Sequence, residues 1–247
     1  MTEELFRADA KLLECRATVT AADERGVELD RTVFYPLGGG QAGDAGVLVR
    51  ADGREIGVAD TRKAPARDGQ PPGVLHLLAD PAQIGLLPVG TAVTARIDPA
   101  RRRAHMRFHT ATHLLCALLP YPVDGCSITA GYARLDFHTQ EPFDKDALNA
   151  GLARLVAEAH PVRDRWIAEA ELDANPQLVR SMSVQPPRGL GRIRVLEIEG
   201  VDLQPCGGTH VANTSEVGAV MVTKVEKKSA STRRVVLGFA EPAAGRG

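Results

Sequence analysis

The chain has 247 residues, enough for one large domain or two modest ones whose core needs no disulfide support. Its 30 Lys and Arg residues against 31 Asp and Glu residues give a formal charge of -1. This balance argues against a broad basic face and restricts any nucleic-acid contact to a local patch. Aromatic residues make up only 4% of the chain, which argues against a binding surface built on rows of stacking rings.

The sequence carries no recognisable targeting pattern. Its first residues lack the basic-then-apolar order of a signal peptide, and no apolar run approaches the roughly 18 residues that a membrane span needs. The four cysteines follow no disulfide spacing and are expected to be buried thiols or metal ligands: Cys15, Cys116, Cys126 and Cys206. We therefore expect a reducing, cytoplasmic setting.

Residues 1–97 are predicted to be mostly strand. Short segments rich in Val, Leu and Thr alternate with turns that contain Gly and Asp. Residues 64–73, APARDGQPPG, are typical of an exposed loop. Several short strands joined by such turns favour a small barrel or sandwich.

The pattern changes at Asp98. Asp98 is a good N-cap and Pro99 suits the first helical position, so a helix of about 20 residues is predicted from here until Pro120 stops it. We place the domain boundary just before this helix, between a first domain at residues 1–97 and a second at residues 98–247.

The second domain is predicted to mix helices with antiparallel sheet. Residues 126–137 are predicted as a strand and residues 144–160 as a helix. A pair of strands follows at residues 192–203 and 218–228, and a loop at residues 229–234 leads into a last strand. The predicted inner face of the second helix consists of Ala147, Leu148, Leu152, Leu155 and Val156.

Two histidines, His109 and His113, lie four residues apart on the first predicted helix. Side chains at this spacing project from one face about 5–6 Å apart at Cβ, so their ring nitrogens can converge on one metal ion. Taken alone, the pair fits a polar helix surface equally well. The glutamate of the zinc-protease pattern HExxH is missing between them, so no general base from the protein is evident.

A second signal lies in the glycine-rich segment Cys206-Gly-Gly-Thr-His210. Alone, it fits a buried cysteine beside a turn equally well. Together, the two segments offer three imidazole nitrogens and one thiolate sulfur, the ligands that zinc prefers. The sequence predicts zinc but leaves open whether His210 is a permanent ligand.

These segments resemble a known family. RRRAHMRFHTATHLL and LQPCGGTHVANTSEVG closely resemble the two metal-binding segments of the alanyl-tRNA synthetase editing domain and its freestanding homologues, the AlaX proteins. FYPLGGGQAGD at residues 34–44 resembles the family's FYPxGGGQxxD segment. Residues 227–235 resemble its closing strand, although Ser-Ala-Ser-Thr replaces the glycine of the usual KGxxRR-like turn. The matches keep the family's order and span nearly the whole chain.

The resemblance implies an α+β fold, with a small N-terminal β-barrel domain followed by an editing domain related to those of threonyl- and alanyl-tRNA synthetases. The length fits the medium-sized group, which would edit in trans. The implied cofactor is Zn²⁺, and the implied partner is the acceptor end of tRNA(Ala) carrying a wrong amino acid. The amino acid that the resemblance implies is serine, and a pocket that hydrogen-bonds the serine hydroxyl can reject alanine. Glycine is the weaker candidate.

The resemblance also assigns roles to individual residues. The implied zinc ligands are His109, His113, Cys206 and His210. The implied substrate-binding residues are Gly39, Gly40, Gln41 and Asp44. The basic residues Arg233 and Arg234 are candidates to bind the tRNA phosphates, although a solvated charged surface fits them equally well. Apart from the resemblance, the positions of four residues beside the predicted ligands or in the GGGQ tract make them candidate catalytic assistants: Gln41, Thr110, Thr112 and Thr209.

Several alternatives stay open at this point. On the residues alone, Gly38, Gly39 and Gly40 favour a tight connection in the barrel with Gln41 bonded locally, whereas the resemblance implies that the tract reaches towards the zinc. Zinc could activate water or only orient the substrate. A zinc-stabilised RNA-binding module without hydrolysis and a zinc hydrolase of small esters or amides are the two other functions that the sequence allows.

Overall fold

A computed structural model describes residues 2–65, 72–182, 188–189 and 191–240. The chain folds into two units, Met1–Arg103 and Ala104–Gly247. The loop predicted at residues 64–73 falls mostly on residues 66–71, outside the described part of the chain. Among the described residues, no helix is both long enough and apolar enough to cross a membrane.

The first unit is built mainly from strands. Two short 3₁₀ turns, Leu5–Arg7 and Pro81–Leu86, accompany them. The strands are β1 Glu3–Glu4, β2 Glu14–Asp23, β3 Gly26–Leu29, β4 Arg31–Thr32, β5 Gly46–Arg50, β6 Glu55–Lys63, β7 Val74–Leu78 and β8 Ala92–Ile97. Six of them close a barrel in the order β2-β3-β7-β6-β5-β8, and every neighbouring pair is antiparallel. The predicted N-terminal β barrel is confirmed.

The barrel core follows from the alternation of side chains along each strand. In β8, Val93, Ala95 and Ile97 are buried, whereas the residues between them are partly or fully exposed. Successive side chains of a strand point to opposite faces, so every second residue of β8 enters the barrel. Leu48 of β5 and Ile56 of β6 are fully buried in the same cluster.

The GGGQ tract forms a tight turn on this unit. The backbone N–H of Gly38 donates to Gln41 O at 3.1 Å, and the N–H of Gln41 donates back to Gly38 O at 3.0 Å. Gly39 and Gly40 between them have φ values of 58° and 84°. Two consecutive positive φ angles are typical of a type I′ turn, a backbone conformation that residues other than Gly, Asn and Asp rarely adopt.

The first long helix, α1, spans Pro99–Leu118 and carries the chain from the first unit into the second. Asp98 caps it, because its Oδ1 accepts hydrogen bonds from Ala100 N at 2.9 Å and Arg101 N at 3.1 Å. The helix ends two residues before Pro120. The predicted helix is therefore confirmed at both ends.

The second unit contains two antiparallel sheets and further helices. Its elements are β9 Val123–Ile128, β10 Ala133–His138, α2 Lys145–Ala157, β11 Val162–Ala168, α3 Glu169–Ala174, β12 Arg192–Ile198, β13 Asp202–Pro205, β14 Val220–Lys227 and β15 Thr232–Phe239, with 3₁₀ turns at Pro176–Leu178 and Thr214–Val217. One sheet has the order β14-β15-β10-β9 and the other β11-β12-β13. The predicted α+β class of this unit is confirmed.

The prediction of one strand at residues 126–137 is wrong, because the segment spans two strands of a hairpin, β9 and β10. Thr129 makes the turn between them. Its Oγ1 accepts hydrogen bonds from Gly131 N at 3.3 Å and Tyr132 N at 3.1 Å. A hydroxyl that bonds the backbone two and three residues ahead favours a turn over continued strand.

The strand pairing predicted for residues 192–203 with 218–228 is also wrong. The first of these segments is itself a hairpin, β12 and β13, which turns at Gly200 with φ 72°. The second segment contains β14, which lies in the other sheet and pairs with β15. Strand β11, which pairs with β12, was missed by the sequence analysis.

Helix α2 is shorter than predicted, because it begins at Lys145 after its N-cap Asp144 and ends at Ala157. Of its predicted inner face, Leu148, Leu152 and Leu155 are buried. Val156 is partly buried, and Ala147 is exposed, so the inclusion of Ala147 was wrong. A narrower apolar stripe therefore contacts the core.

Candidate metal centre

Four side chains in the second unit converge on one point. His109 and His113 lie one turn apart on α1, while Cys206 and His210 lie in the loop that follows β13. The ligand atoms of these four residues all lie within 4.8 Å of one another. Cys206 Sγ is 3.5 Å from His109 Nε2 and 3.2 Å from His210 Nε2. The structure thus brings together residues that are distant in sequence, since His109 and Cys206 are 97 positions apart.

Neighbouring side chains set the orientation of two of the imidazoles. Nδ1 of His113 lies 2.9 Å from Asp202 Oδ2, and Nδ1 of His210 lies 3.2 Å from Thr110 Oγ1. A ring whose Nδ1 carries the proton and donates it keeps the Nε2 lone pair for a ligand. In both residues Nε2 is therefore the atom directed at the cluster.

Asp202 and Gln204 form a support that the sequence analysis missed. Gln204 Nε2 donates to Oδ1 and Oδ2 of Asp202, each at 2.9 Å, while Asp202 contacts His113. All these side chains are buried. The signal that could have found them is the alternation of polar residues along β13, where Asp202 and Gln204 point to one face two residues apart and Cys206 follows at the same spacing.

Arg194 of β12 holds the loop that carries Cys206. Its Nη1 donates to Cys206 O at 2.8 Å and to Gly208 O at 3.2 Å, and its Nε donates to Asp164 Oδ2 at 3.3 Å. The Cys206 N–H donates in turn to the backbone carbonyl of Arg194 at 3.2 Å. A planar guanidinium with five donors is suited to joining several acceptors in this way. Arg194 was not among the site residues predicted from the sequence.

The cluster shifts the pKa values of its own members. Burial raises the pKa of the Cys206 thiol, but the imidazoles of His109 and His210 outweigh this and hold it well below 9.0. Burial and the neighbouring His109 lower the pKa of His210 to about 3. Burial also lowers the pKa of His113, but the hydrogen bond to Asp202 and the nearby Cys206 raise it to about 10.

The donor set itself fits a metal ion. Three imidazoles and one thiol, buried or nearly so and within one ligand sphere, are the combination that borderline and soft divalent metals select. Among the described residues, no carboxylate oxygen belongs to the group, which argues against a site for calcium or magnesium. The group could therefore hold a transition-metal ion.

The three threonines predicted as assistants lie in different surroundings. Thr110 contacts His210 and also accepts a hydrogen bond from Val211 N at 3.3 Å. Thr112 Oγ1 donates back along α1 to His109 O at 2.7 Å. Thr209 is buried beside His210 in the ligand loop. The Thr110 hydroxyl thus contacts an imidazole nitrogen of the cluster, whereas the Thr112 hydroxyl contacts the backbone carbonyl of His109.

The residues of the GGGQ tract lie in the first unit. Gly39 is exposed at the tip of the turn, Gly40 is partly buried, and Gln41 is fully buried. Asp44 is fully buried as well: its Oδ2 accepts from Tyr35 N at 2.7 Å and from Arg102 Nε at 3.0 Å. The Asp44 carboxylate therefore ties the tract to the start of α1.

Arg233 and Arg234 lie at the start of β15. Arg234 forms two hydrogen bonds with Asp136 of β10, Nε to Oδ1 at 2.7 Å and Nη2 to Oδ2 at 2.9 Å. Arg233 Nη1 donates to Ser229 O at 3.1 Å in the turn before the strand. Both guanidiniums are partly exposed and are oriented by these contacts.

Two family patterns match the chain. The family described as "Threonyl and Alanyl tRNA synthetase second additional domain" matches residues 193–236, which include Cys206 and His210. The family described as "tRNA synthetases class II (A)" matches residues 5–101, which contain the barrel.

Individual relatives match over almost the whole length. The "Alanyl-tRNA editing protein AlaX-M" of Methanosarcina barkeri is 35% identical over 95% of this chain and 98% of its own. The protein of the same name from Saccharolobus solfataricus is 34% identical over the same shares. The "Alanine--tRNA ligase" of Pyrococcus furiosus is 34% identical over 98% of this chain but only 26% of its own. Because relatives that are 34–35% identical cover almost the whole of both chains, this chain belongs to the AlaX-M group of alanyl-tRNA editing proteins.

Proposed function

We propose that this protein is a zinc-dependent hydrolase that removes a wrong amino acid from tRNA(Ala) in trans. The observation that carries the proposal is the convergence of His109, His113, Cys206 and His210 in a chain that matches an AlaX-M protein over 95% of its length. The names of those relatives supply the substrate class, alanyl-tRNA editing.

Zinc is the metal we propose for the cluster. A thiolate and three imidazoles with Nε2 directed inward form a set that zinc prefers over harder ions. When bound, zinc supplies Lewis acidity, which polarises an ester carbonyl or acidifies a water molecule. The imidazoles of His109 and His210 favour the thiolate form of Cys206, which is the form that binds a metal ion.

The residues around the cluster position its members. Asp202 holds the ring of His113, Thr110 holds the ring of His210, and Arg194 holds the backbone of Cys206. Hydrogen bonds between neighbouring residues and metal-binding side chains fix the tautomer and the orientation of those side chains. We propose that Thr110 assists catalysis by this positioning, and that Thr209 and Gln41 bond the substrate directly.

The substrate contacts are assigned by the same reasoning. Backbone N–H groups of Gly39 and Gly40, with the Gln41 amide, are proposed to bind the aminoacyl end. Asp44 fixes the tract, as its buried pair with Arg102 indicates. Arg233 and Arg234, oriented by protein acceptors yet partly exposed, are proposed to bind phosphates of the acceptor end.

Serine is the amino acid that we expect to be removed. A site that hydrogen-bonds the serine hydroxyl rejects alanine, because the analogue without the hydroxyl leaves buried polar groups unpaired. Glycine carries no hydroxyl either and is the weaker candidate.

The test is release of labelled amino acid from Ser-tRNA(Ala), Ala-tRNA(Ala) and Gly-tRNA(Ala) by protein of known zinc content. We expect rapid release of serine, with alanine spared. The variant Cys206→Ala should lose the activity together with the metal. Its matched control is Cys15→Ala, which removes a thiol from the other unit and should keep both.

Two outcomes would contradict the proposal. No release from any of the three, with zinc bound, would indicate a binding module without hydrolysis. Release from free esters but from no charged tRNA would indicate a different zinc hydrolase.

A further inference from the structure

The single tryptophan of the chain, Trp166, lies unusually open to solvent. Its exposed fraction is 49%, although indole is among the side chains that gain most from burial. It lies on β11, where the next residue, Ile167, points to the opposite face and packs in the core with Ile193 and Val195. The tryptophan therefore belongs to the sheet face that does not carry this core.

That face is the one that supports the metal centre. Trp166 lies directly opposite Arg194 on the neighbouring strand, and directly opposed residues share a face of the sheet. Arg194 donates to the carbonyls of Cys206 and Gly208. The indole is thus one strand away from the residue that holds the ligand loop.

A cation accompanies the indole. The guanidinium carbon of Arg192 lies 4.9 Å from the centroid of the Trp166 ring, within the range of a cation–π contact. In the part of the chain that the structure describes, no carboxylate forms an ion pair with Arg192. The pair therefore presents an aromatic surface and a positive charge side by side.

The surroundings argue against a protein partner. Of the exposed charged residues on β11, Asp164 shares the face of Trp166, whereas Arg163 and Arg165 point to the other face. A protein-binding patch needs contiguous apolar surface around its aromatic anchor, and this strand offers none. A nucleobase, in contrast, needs only one ring to stack on and a cation for its phosphate or its own π face.

We propose that Trp166 and Arg192 form a stacking platform for one unstacked nucleobase at the single-stranded 3′ end of the RNA substrate. This rests on the proposed function, which places that end at the metal centre. The platform holds the base while the aminoacyl ester lies at the cluster. Because aromatic residues make up only 4% of the chain, the platform binds a single base and not a long single strand.

Fluorescence of the zinc-loaded full-length protein tests the platform directly, because Trp166 is the only indole. The probes are two RNA microhelices with the tRNA(Ala) acceptor stem, one with the single-stranded CCA end and one without it. We expect saturable quenching by the first and none by the second. Equal quenching by both, or none by either, would overturn the proposal.

Variants give a second readout that does not depend on fluorescence. Trp166→Ala should raise the Kd of a labelled CCA-ended microhelix and the KM of deacylation by roughly 5- to 150-fold, the range expected for loss of one stacked base. Bound zinc should be unchanged, and Trp166→Phe should restore most of the affinity. The control is Tyr132→Ala, another exposed aromatic, in the turn between β9 and β10.

The outcomes separate this proposal from the proposed function. If Trp166→Ala deacylates with an unchanged KM, the stacking platform is refuted and the proposed enzymatic function stands. If the CCA-ended microhelix quenches the fluorescence but no charged tRNA is hydrolysed, the stacking platform is supported and the proposed enzymatic function is refuted.

Discussion

Two imidazoles of the His/Cys cluster are anchored through Nδ1 by chemically different partners. Asp202 is a carboxylate that is itself held by Gln204, whereas Thr110 is a hydroxyl that also accepts from the backbone of Val211. A carboxylate raises the basicity of the ring it contacts more than a hydroxyl does. We therefore expect His113 to depend on its partner more than His210 does.

The first residue-scale prediction concerns Asp202. Asp202→Ala removes the acceptor that orients His113 and leaves Gln204 without its partner. We expect zinc affinity to fall roughly 10- to 100-fold. Competition with a chromophoric chelator measures it. Asp124→Ala is the matched control, since Asp124 contacts the exposed His138 in the same way at 3.2 Å; an equal loss in both variants would refute a specific role for Asp202.

The second residue-scale prediction concerns Arg194. Arg194→Met keeps the aliphatic stem but removes the donors to Cys206 O and Gly208 O. We expect the free energy of unfolding to fall by about 1–3 kcal/mol, because buried acceptors lose their partner, and zinc to be released faster to a chelator. Arg165→Met removes only an exposed ion pair with Glu197 and should cost less than about 1 kcal/mol. An unchanged release rate in Arg194→Met would contradict the positioning role.

The members of the cluster and the residues that support them differ in how readily the sequence reveals them. The i, i+4 spacing of His109 and His113 places both on one face of any helix, and two glycines beside Cys206 allow a tight loop. Both patterns are local and can be read without a structure. Asp202 and Arg194 act through β12 and β13, whose pairing the sequence analysis did not find.

At the scale of elements, α1 was predicted accurately because its end signals are local. A capping aspartate, a proline at the first position and a proline after the end leave little freedom in the boundaries. In each of the two hairpins, β9–β10 and β12–β13, a single predicted strand covered residues of both observed strands. Their turns at Gly131 and Gly200 interrupt an apolar pattern for only a few residues, and strand pairing is a long-range property.

The element-scale prediction is that the Asp98 cap stabilises α1. Asp98→Ala should lower the free energy of unfolding by about 1 kcal/mol, since two N–H groups at the helix start lose their acceptor. Asp98→Asn should stay within a few tenths of a kcal/mol of the wild type, because asparagine caps as well as aspartate. Denaturant unfolding at constant zinc measures both. Equal losses in the two variants would indicate that charge, and not the hydrogen bonds, matters.

At the scale of the whole molecule, one buried carboxylate links the sheet to acid stability. Asp136 is 2% exposed and contacts Arg134, Lys228 and Arg234. Burial raises the pKa of its carboxyl, but the hydrogen bonds from Arg234 and Lys228 lower it from 3.8 to about 2. Because the pKa is lower in the folded state, the contribution of Asp136 is complete above the unfolded value and is lost as the pH falls through the folded one.

The prediction is a pH-dependent gap between wild type and Asp136→Asn. At pH 6 the wild type should be the more stable protein, and the gap should narrow between about pH 4 and pH 2. Urea unfolding at each pH measures it. Both proteins carry the same metal ligands, so acid release of zinc cancels in the comparison. A gap that stays constant over this range would contradict the ion network.

The sequence by itself determined the class of each unit, helix α1, the four residues that the structure brings together in the His/Cys cluster, and the family resemblance. These rest on local spacing, composition and ordered motifs, which need no knowledge of which strands pair. Only the tertiary structure decided the strand order, the partners of Asp44 and Arg234, and the supports of the cluster. Each of these is a contact between residues distant in sequence, and many residue types can satisfy it.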